Sequence, residues 1–133
     1  MFRFERLTVW QKAVELFELV DALVESLPRR VRFGLADQIH RAALSISSNI
    51  AEGAGRETVA EMRHFYTTAK ASTFELVSLS IICCRRKFFT EEQHSEVYHR
   101  AEEIARMLTA LKKKPGAPTS GPVPRHSALG TRH

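Results

Sequence analysis

Apolar residues recur at spacings of three and four along four stretches of the chain, which is the period of an amphipathic α-helix. No stretch shows the strict alternation of apolar and polar residues that is typical of a strand. The pattern predicts helices over residues 9–27, 35–52, 59–86 and 91–113. Because the connections are short, the predicted fold is all-α, an up-down-up-down four-helix bundle.

Local signals support these boundaries. Pro28 is expected to end the first helix, and Gly53 is expected to end the second. The starts of the first, third and fourth helices carry the capping-box pattern: Thr8 with Gln11, Thr58 with Glu61, and Thr90 with Gln93. On the predicted outer side of the fourth helix, the spacing of Glu96 to Arg100 and of Glu102 to Arg106 favours i,i+4 ion pairs.

The second predicted helix has few charged residues with which to face water. Between residues 35 and 51, only Asp37 and Arg41 carry a formal charge. A helix with so little polar cover is usually buried on all sides, which a four-helix bundle does not achieve within one subunit. We therefore expect a symmetric homo-oligomer that buries this helix. The predicted interface residues are Ala43, Leu44, Ser47 and Ser48.

The charge of the chain is unevenly distributed. The 133 residues carry a net charge of +5, and the five basic residues after residue 111 account for all of it, because residues 1–111 are neutral overall. Four of the five prolines also fall after Lys114. We therefore predict a bundle over residues 1–114 and a disordered, Pro-rich basic tail over 115–133.

Topology gathers charge at one end of the predicted bundle. The first and third loops of an up-down-up-down bundle lie at the same end. Their cations are Arg29, Arg30, Arg32, Arg85, Arg86 and Lys87. This basic end is a candidate phosphate-binding surface, and a set of solvated loop cations is the alternative. Gly53 to Arg56 is a second, weaker phosphate candidate, for which a helix stop and turn is the favoured interpretation.

Catalytic and metal chemistry find little support in the sequence. The three Glu-x-x-His pairs are Glu61/His64, Glu91/His94 and Glu96/His99. Their helical positions do not aim them at a common centre, so no metal site and no cofactor are predicted. The adjacent Cys83 and Cys84 cannot staple distant segments, and their favoured role is as small apolar fillers. The alternative for Cys84 is a thiol whose pKa is lowered by the nearby cations.

The cellular setting follows from what the chain lacks. Its longest apolar run has nine residues, too few to cross a bilayer, and its N-terminus has no apolar signal core. Two cysteines that cannot form a disulfide framework favour a reducing compartment. The expectation is therefore a cytoplasmic protein with no membrane partner, no small-molecule substrate and no enzymatic activity.

The second helix resembles a known family. Residues 45–53, Ser-Ile-Ser-Ser-Asn-Ile-Ala-Glu-Gly, followed by Arg56, are similar to the motif of four-helix-bundle proteins encoded within bacterial 23S ribosomal RNA intervening sequences. Supporting matches are Val9 to Ala13, Pro28, Gly34, Leu35, Gln38, Arg41, Phe65, Ala69, Ser72, Glu75 and Leu76. The sequence departs from the family at Ala71 and in the turn over 87–89, where the family often has glycine.

The resemblance implies a homopentameric ring without an attached enzymatic activity. The family is also similar to accessory variability determinant proteins of diversity-generating retroelements, which bind a reverse transcriptase and nucleic acid. We expect a scaffold that associates with RNA or a nucleoprotein through its basic end. The alternative is a protein-interaction adaptor, for example for a reverse transcriptase, with no nucleic-acid affinity. Within the motif, Ser45 and Gly53 are expected to be structural, and Asn49, Glu52 and Arg56 to tie the turn after the second helix.

Overall fold

The computed structural model describes residues 1–116 and contains four long helices. They are α1 (Thr8–Val24), α2 (Asp37–Ala54), α3 (Val59–Arg85) and α4 (Glu91–Lys113). A 3-10 turn at Arg3–Arg6 precedes α1. The α1–α2 connection contains a 3-10 turn followed by a single π turn that leads into α2. The described residues contain no strand, so the all-α prediction is confirmed.

Each helix borders two others, as an up-down-up-down bundle requires. Helix α2 packs against α1 and α3, and helix α4 packs against the same two helices from the other side. The core is one cluster of apolar side chains supplied by all four helices. Its fully buried members include Leu16, Val20, Ile39, Ile46, Ile50, Tyr66, Leu76, Val97, Ile104 and Leu108. The predicted tail, apart from Pro115 and Gly116, lies outside the described residues.

The capping-box prediction holds in full at one helix start and in part at another. Thr90 and Gln93 form a reciprocal capping box at α4. At α3 the Thr58 hydroxyl accepts the Glu61 N–H, but the Glu61 carboxylate accepts from that hydroxyl instead of the Thr58 N–H, so the box is incomplete. At α1 the prediction is wrong, because Leu7 is the N-cap residue and the Thr8 hydroxyl is buried without a partner. The Gln11 amide instead donates to the Glu5 carbonyl of the preceding 3-10 turn, at 3.0 Å.

Gly53 does not end α2, contrary to the sequence prediction. It lies inside the helix, which continues to Ala54. A Cβ atom built on Gly53 would stand 2.6 Å from the Tyr66 ring and 3.1 Å from the Phe65 Cβ. Glycine is therefore needed at this position because α2 and α3 approach too closely for any side chain.

Candidate nucleic-acid interface

Some of the motif residues of α2 contribute to the contact between α2 and α3. The hydroxyls of Ser45 and Ser72 lie 2.8 Å apart across the two helices. The Asn49 amide donates to the backbone carbonyl and to the hydroxyl of Ser45, at 2.8 and 2.9 Å. These polar contacts are half-buried and mutually satisfied, so together with Gly53 they fix how α2 sits on α3.

The predicted tie at the α2–α3 turn is present, but it involves two of the three predicted residues. Arg56 donates a hydrogen bond to the Glu52 carboxylate, and its guanidinium also lies 4.6 Å from the centre of the Phe65 ring. Asn49 is not part of this tie, because its amide is directed back to Ser45. The pair holds the turn through charge and ring contact without involving the rest of the motif.

The basic end is assembled around one aromatic ring. The Arg30 guanidinium, from the α1–α2 connection, lies 5.5 Å from the centre of the Phe88 ring. The Arg86 guanidinium, from the end of α3, lies 5.7 Å from the same centre. The structure thus brings the two predicted cation clusters together, and the organising residue, Phe88, was missed. An aromatic residue directly after a basic run is the signal that would have indicated it.

A tight turn presents Phe88 to this end. Lys87 has a positive φ of 66°, the left-handed conformation that glycine usually supplies after a helix. The N–H groups of Phe88 and Phe89 both donate to the Cys83 carbonyl, at 2.7 and 3.1 Å. As a result Phe89 enters the core, whereas Phe88 stays half-buried beneath the arginines.

Most cations of the basic end lack an acidic partner. All six predicted residues are exposed. Arg32 reaches the carboxylate and the backbone carbonyl of Glu25, at 3.8 and 3.1 Å. The other five have no carboxylate oxygen within 4 Å among residues 1–116. Unpaired cations held close together repel one another, and an anion that binds among them relieves that repulsion.

The opposite end of the bundle is also basic, and one of its arginines forms an internal ion pair. It holds the N-terminal turn, the α2–α3 turn and the end of α4. Arg56 is paired with Glu52 there, and the Arg63 side chain donates to the Lys112 carbonyl at 2.8 Å. A concave surface of about 460 Å³ lies beside Arg56, with Phe4 and Ser48 among its walls. The Gly53–Arg56 phosphate candidate is thus occupied by an internal ion pair.

Both cysteines are thiols whose pKa values are raised. Burial, with a smaller contribution from the neighbouring Cys84, raises the pKa of Cys83 to about 11. The Cys84 thiol donates to the Glu91 carboxylate at 3.2 Å, and this hydrogen bond is the main reason that its pKa is raised. The alternative of a lowered Cys84 pKa is therefore wrong, because the nearby carboxylate outweighs the cations.

The Glu-x-x-His residues are dispersed. The Nδ1 of His94 lies 2.7 Å from the Ser80 hydroxyl, between α3 and α4. His64 stacks edge-on against Phe65, and His99 lies 3.9 Å from Glu102 on the outside of α4. Across residues 1–116, no three His, Cys, Asp or Glu side chains are grouped in a way that could hold a metal ion. None of the helices in this part of the chain is long and apolar enough to cross a bilayer.

The predicted interface residues fall into two classes. Ala43 and Ser47 are buried inside the protomer, so they are not available to another subunit and their assignment to the interface is corrected. Leu44, which is 51% exposed, and Ser48 lie on the outer face of α2. Further exposed apolar side chains, which were not predicted from the sequence, lie on α3, namely Phe74, Ile81 and Ile82. The low charge of α3 between Glu75 and Arg85 is the sequence feature that could have indicated these exposed side chains.

Comparison with known proteins supports the fold and the resemblance. Residues 5–110 match the family model described as 23S rRNA-intervening sequence protein. A crystal structure from Bacteroides thetaiotaomicron, described as a protein with unknown function from the S23 ribosomal protein family, superposes with a TM-score of 0.75. It is 23% identical, and the match covers 80% of this chain and all of that one. No curated protein sequence matches. Because the family model spans most of the sequence, the chain belongs to the 23S rRNA-intervening sequence protein family.

Proposed function

We propose that the protein is a non-catalytic scaffold that assembles into a homo-oligomer and associates with RNA through the basic end of each bundle. The observation that carries this proposal is the set of five exposed cations that have no acidic partner within residues 1–116. Phosphate groups are the ligands that such clusters neutralise, with release of counterions. The pentameric number rests on the resemblance alone.

Oligomerisation would bring several weak RNA-binding sites together in one particle. Phosphate contacts position a nucleic acid without reading its sequence, so one basic end should bind modestly and with little sequence preference. Several copies on one oligomer bind a long RNA together at a high effective concentration. We therefore expect affinity to depend steeply on salt and on assembly.

The chemistry of the cysteines supports a non-catalytic role. The pKa values of both thiols are raised, so they are protonated and weakly nucleophilic at neutral pH.

The exposed apolar side chains favour a second candidate function. Phe74 is 65% exposed on α3 and borders a groove of about 330 Å³ between α3 and α4. Such a surface suits a protein partner, for example a reverse transcriptase, as the resemblance to retroelement accessory proteins implies. In this alternative the protein is an adaptor without affinity for nucleic acid.

The test compares two charge-matched variants of the full chain. In the first, Arg29, Arg30, Arg85 and Arg86 are changed to Gln; in the second, Arg6, Lys112, Lys113 and Lys114 are changed to Gln. Both lose four positive charges. Binding to a labelled RNA is measured by fluorescence anisotropy at increasing salt. We expect the first variant to lose at least tenfold in affinity, with a shallower salt dependence, and the second to lose much less.

Two results would count against this assignment. A larger loss in the second variant would move the activity to the C-terminal end. A wild-type protein that binds no RNA at low salt would favour the adaptor.

A further inference from the structure

Phe88 and its two arginines form a distinct element within the basic end. Both guanidinium carbons lie within 6 Å of the ring centre, which is the distance at which a cation interacts with the face of an aromatic ring. Arg30 and Arg86 come from different loops, so the ring positions two cations that the backbone alone leaves independent. Neither arginine has a carboxylate partner within 4 Å in the described chain.

The core holds one side of this element in place, and the other side is open to solvent. Phe88 is half-buried and packs against the hydrophobic core, and its N–H donates to the Cys83 carbonyl at 2.7 Å. The arginine side chains above it are exposed. A guanidinium held over a ring keeps its N–H groups at the edge for phosphate oxygens. Its planar face can stack on a nucleobase.

This combination distinguishes between two forms of RNA. In a duplex the base faces are covered by neighbouring base pairs, and only phosphates and groove edges are accessible. Unpaired nucleotides present free base faces, which proteins bind by stacking on aromatic rings and on arginine planes. Lysines and solvated arginines contact both forms through charge alone.

We propose that the Arg30–Phe88–Arg86 element makes the basic end selective for unpaired RNA over duplex RNA. The inference rests on the proposed RNA association and adds the structural form of the ligand. The two arginines bind phosphate and stack on a base, and Phe88 is a positioning residue that orders them. The cations at 29 and 87 supply further phosphate contacts.

The chain contains a matched control for this element. Arg56 lies over Phe65 at the opposite end in a similar cation–π arrangement, but Glu52 neutralises it. Changing Phe65 to Leu therefore removes a comparable ring contact at a site where no RNA is expected to bind. Changing Phe88 to Leu keeps an apolar side chain over the core and leaves every charge in place.

The experiment measures the affinity of the full-length protein for two labelled RNAs of equal length at the same salt concentration. One is an unstructured oligouridine, and the other is a perfectly paired duplex. We expect wild type to prefer the single strand. Phe88→Leu should lose about fivefold in affinity for the single strand and almost nothing for the duplex. Phe65→Leu should change neither. Circular dichroism melting confirms that both variants fold.

A second variant keeps the test decisive if Phe88→Leu unfolds. Changing Arg30 and Arg86 to Lys preserves both charges but removes the planar guanidinium, so it should abolish the preference and spare duplex binding. Equal wild-type affinity for the two RNAs, or a preference that survives this double change, would overturn the inference while leaving RNA association in place. Absence of binding to either RNA would overturn both proposals.

Discussion

The two sides of the bundle differ in how they meet their surroundings. On the α1/α4 side, charged residues form a chain of ion pairs across and along the helices. The pairs are Lys12–Glu103, Arg100–Glu15 and Arg100–Glu96, at 3.2–3.8 Å. Helices α2 and α3 instead present exposed apolar side chains, Leu44 on α2 and Phe74, Ile81 and Ile82 on α3, and Phe74 borders the groove between α3 and α4.

The difference shows which side is suited to water. Exposed ion pairs add little stability, but they keep a surface soluble and unsuited to burial. Exposed apolar side chains with few charges around them are costly in water and are typical of a contact between proteins. Helices α2 and α3 also approach each other closely at Gly53 and make the polar contact between Ser45 and Ser72. We infer that α2 and α3 supply the face for assembly.

The largest expected effect is on assembly, and a charge placed on each side of the bundle in turn should reveal it. Leu44→Glu should dissociate the proposed oligomer, because a carboxylate desolvated without a partner costs several kcal/mol. Leu44 is exposed in the protomer, so the bundle should still fold. Light scattering should show the mass falling from several times 15.1 kDa to that of one chain.

Ala22→Glu is the matched control for this experiment. Ala22 is exposed on α1, so this change should leave the assembly intact. A wild-type protein that is monomeric at micromolar concentration would contradict the assignment of the α2/α3 side, as would a Leu44→Glu variant of unchanged mass.

A smaller effect should distinguish the close packing of α2 on α3 from ordinary helix contact. Gly53→Ala forces a methyl group against Tyr66 and should destabilise the protein by about 1–3 kcal/mol, even after the gain in helix propensity. Gly55→Ala is the control, because its nearest contact would be 3.6 Å and its φ is −89°. We expect it to be neutral or slightly stabilising.

Chemical denaturation of both glycine variants measures these differences. Equal midpoints for the two would show that α3 moves away at little cost, and that the packing at Gly53 is not rigid.

The smallest effect is expected on the α1/α4 side. Arg100→Gln removes contacts to Glu15 and Glu96 but should cost only about 0.2–1 kcal/mol, because all three side chains are well exposed to solvent. Adding salt should reduce the difference from wild type further. Urea unfolding at low and high salt provides the measurement. A loss above 2 kcal/mol would mean that these ion pairs are a cooperative network rather than a solvated surface.

Much of the fold could be predicted from sequence because local and tertiary requirements agree. Helix α4 begins at Glu91 and ends at Lys113, as its capping box and apolar period indicated. The predicted Glu96–Arg100 and Glu102–Arg106 pairs are also confirmed. These features depend on residues within one or two turns of each other, so the sequence alone contains what determines them.

Only the tertiary structure decided which face of a helix is buried and where two helices pack closely. Ala43 and Leu44 are adjacent, yet a rotation of about 100° per residue buries the first and exposes the second. Low charge along the helix could not separate them. Gly53 was interpreted as a helix stop because glycine serves both at helix ends and at close contacts, and only the position of Tyr66 decides between these roles.

The candidate site also has features that the sequence determined and features that only the folded chain decided. The sequence determined which cations lie at one end, because short loops impose that topology. Only the folded chain placed Arg30 and Arg86 over one ring, and only the folded chain showed that Arg56 is paired whereas they are not. Contacts between residues far apart in the chain arise from packing geometry, which the spacing of residues along the sequence does not contain.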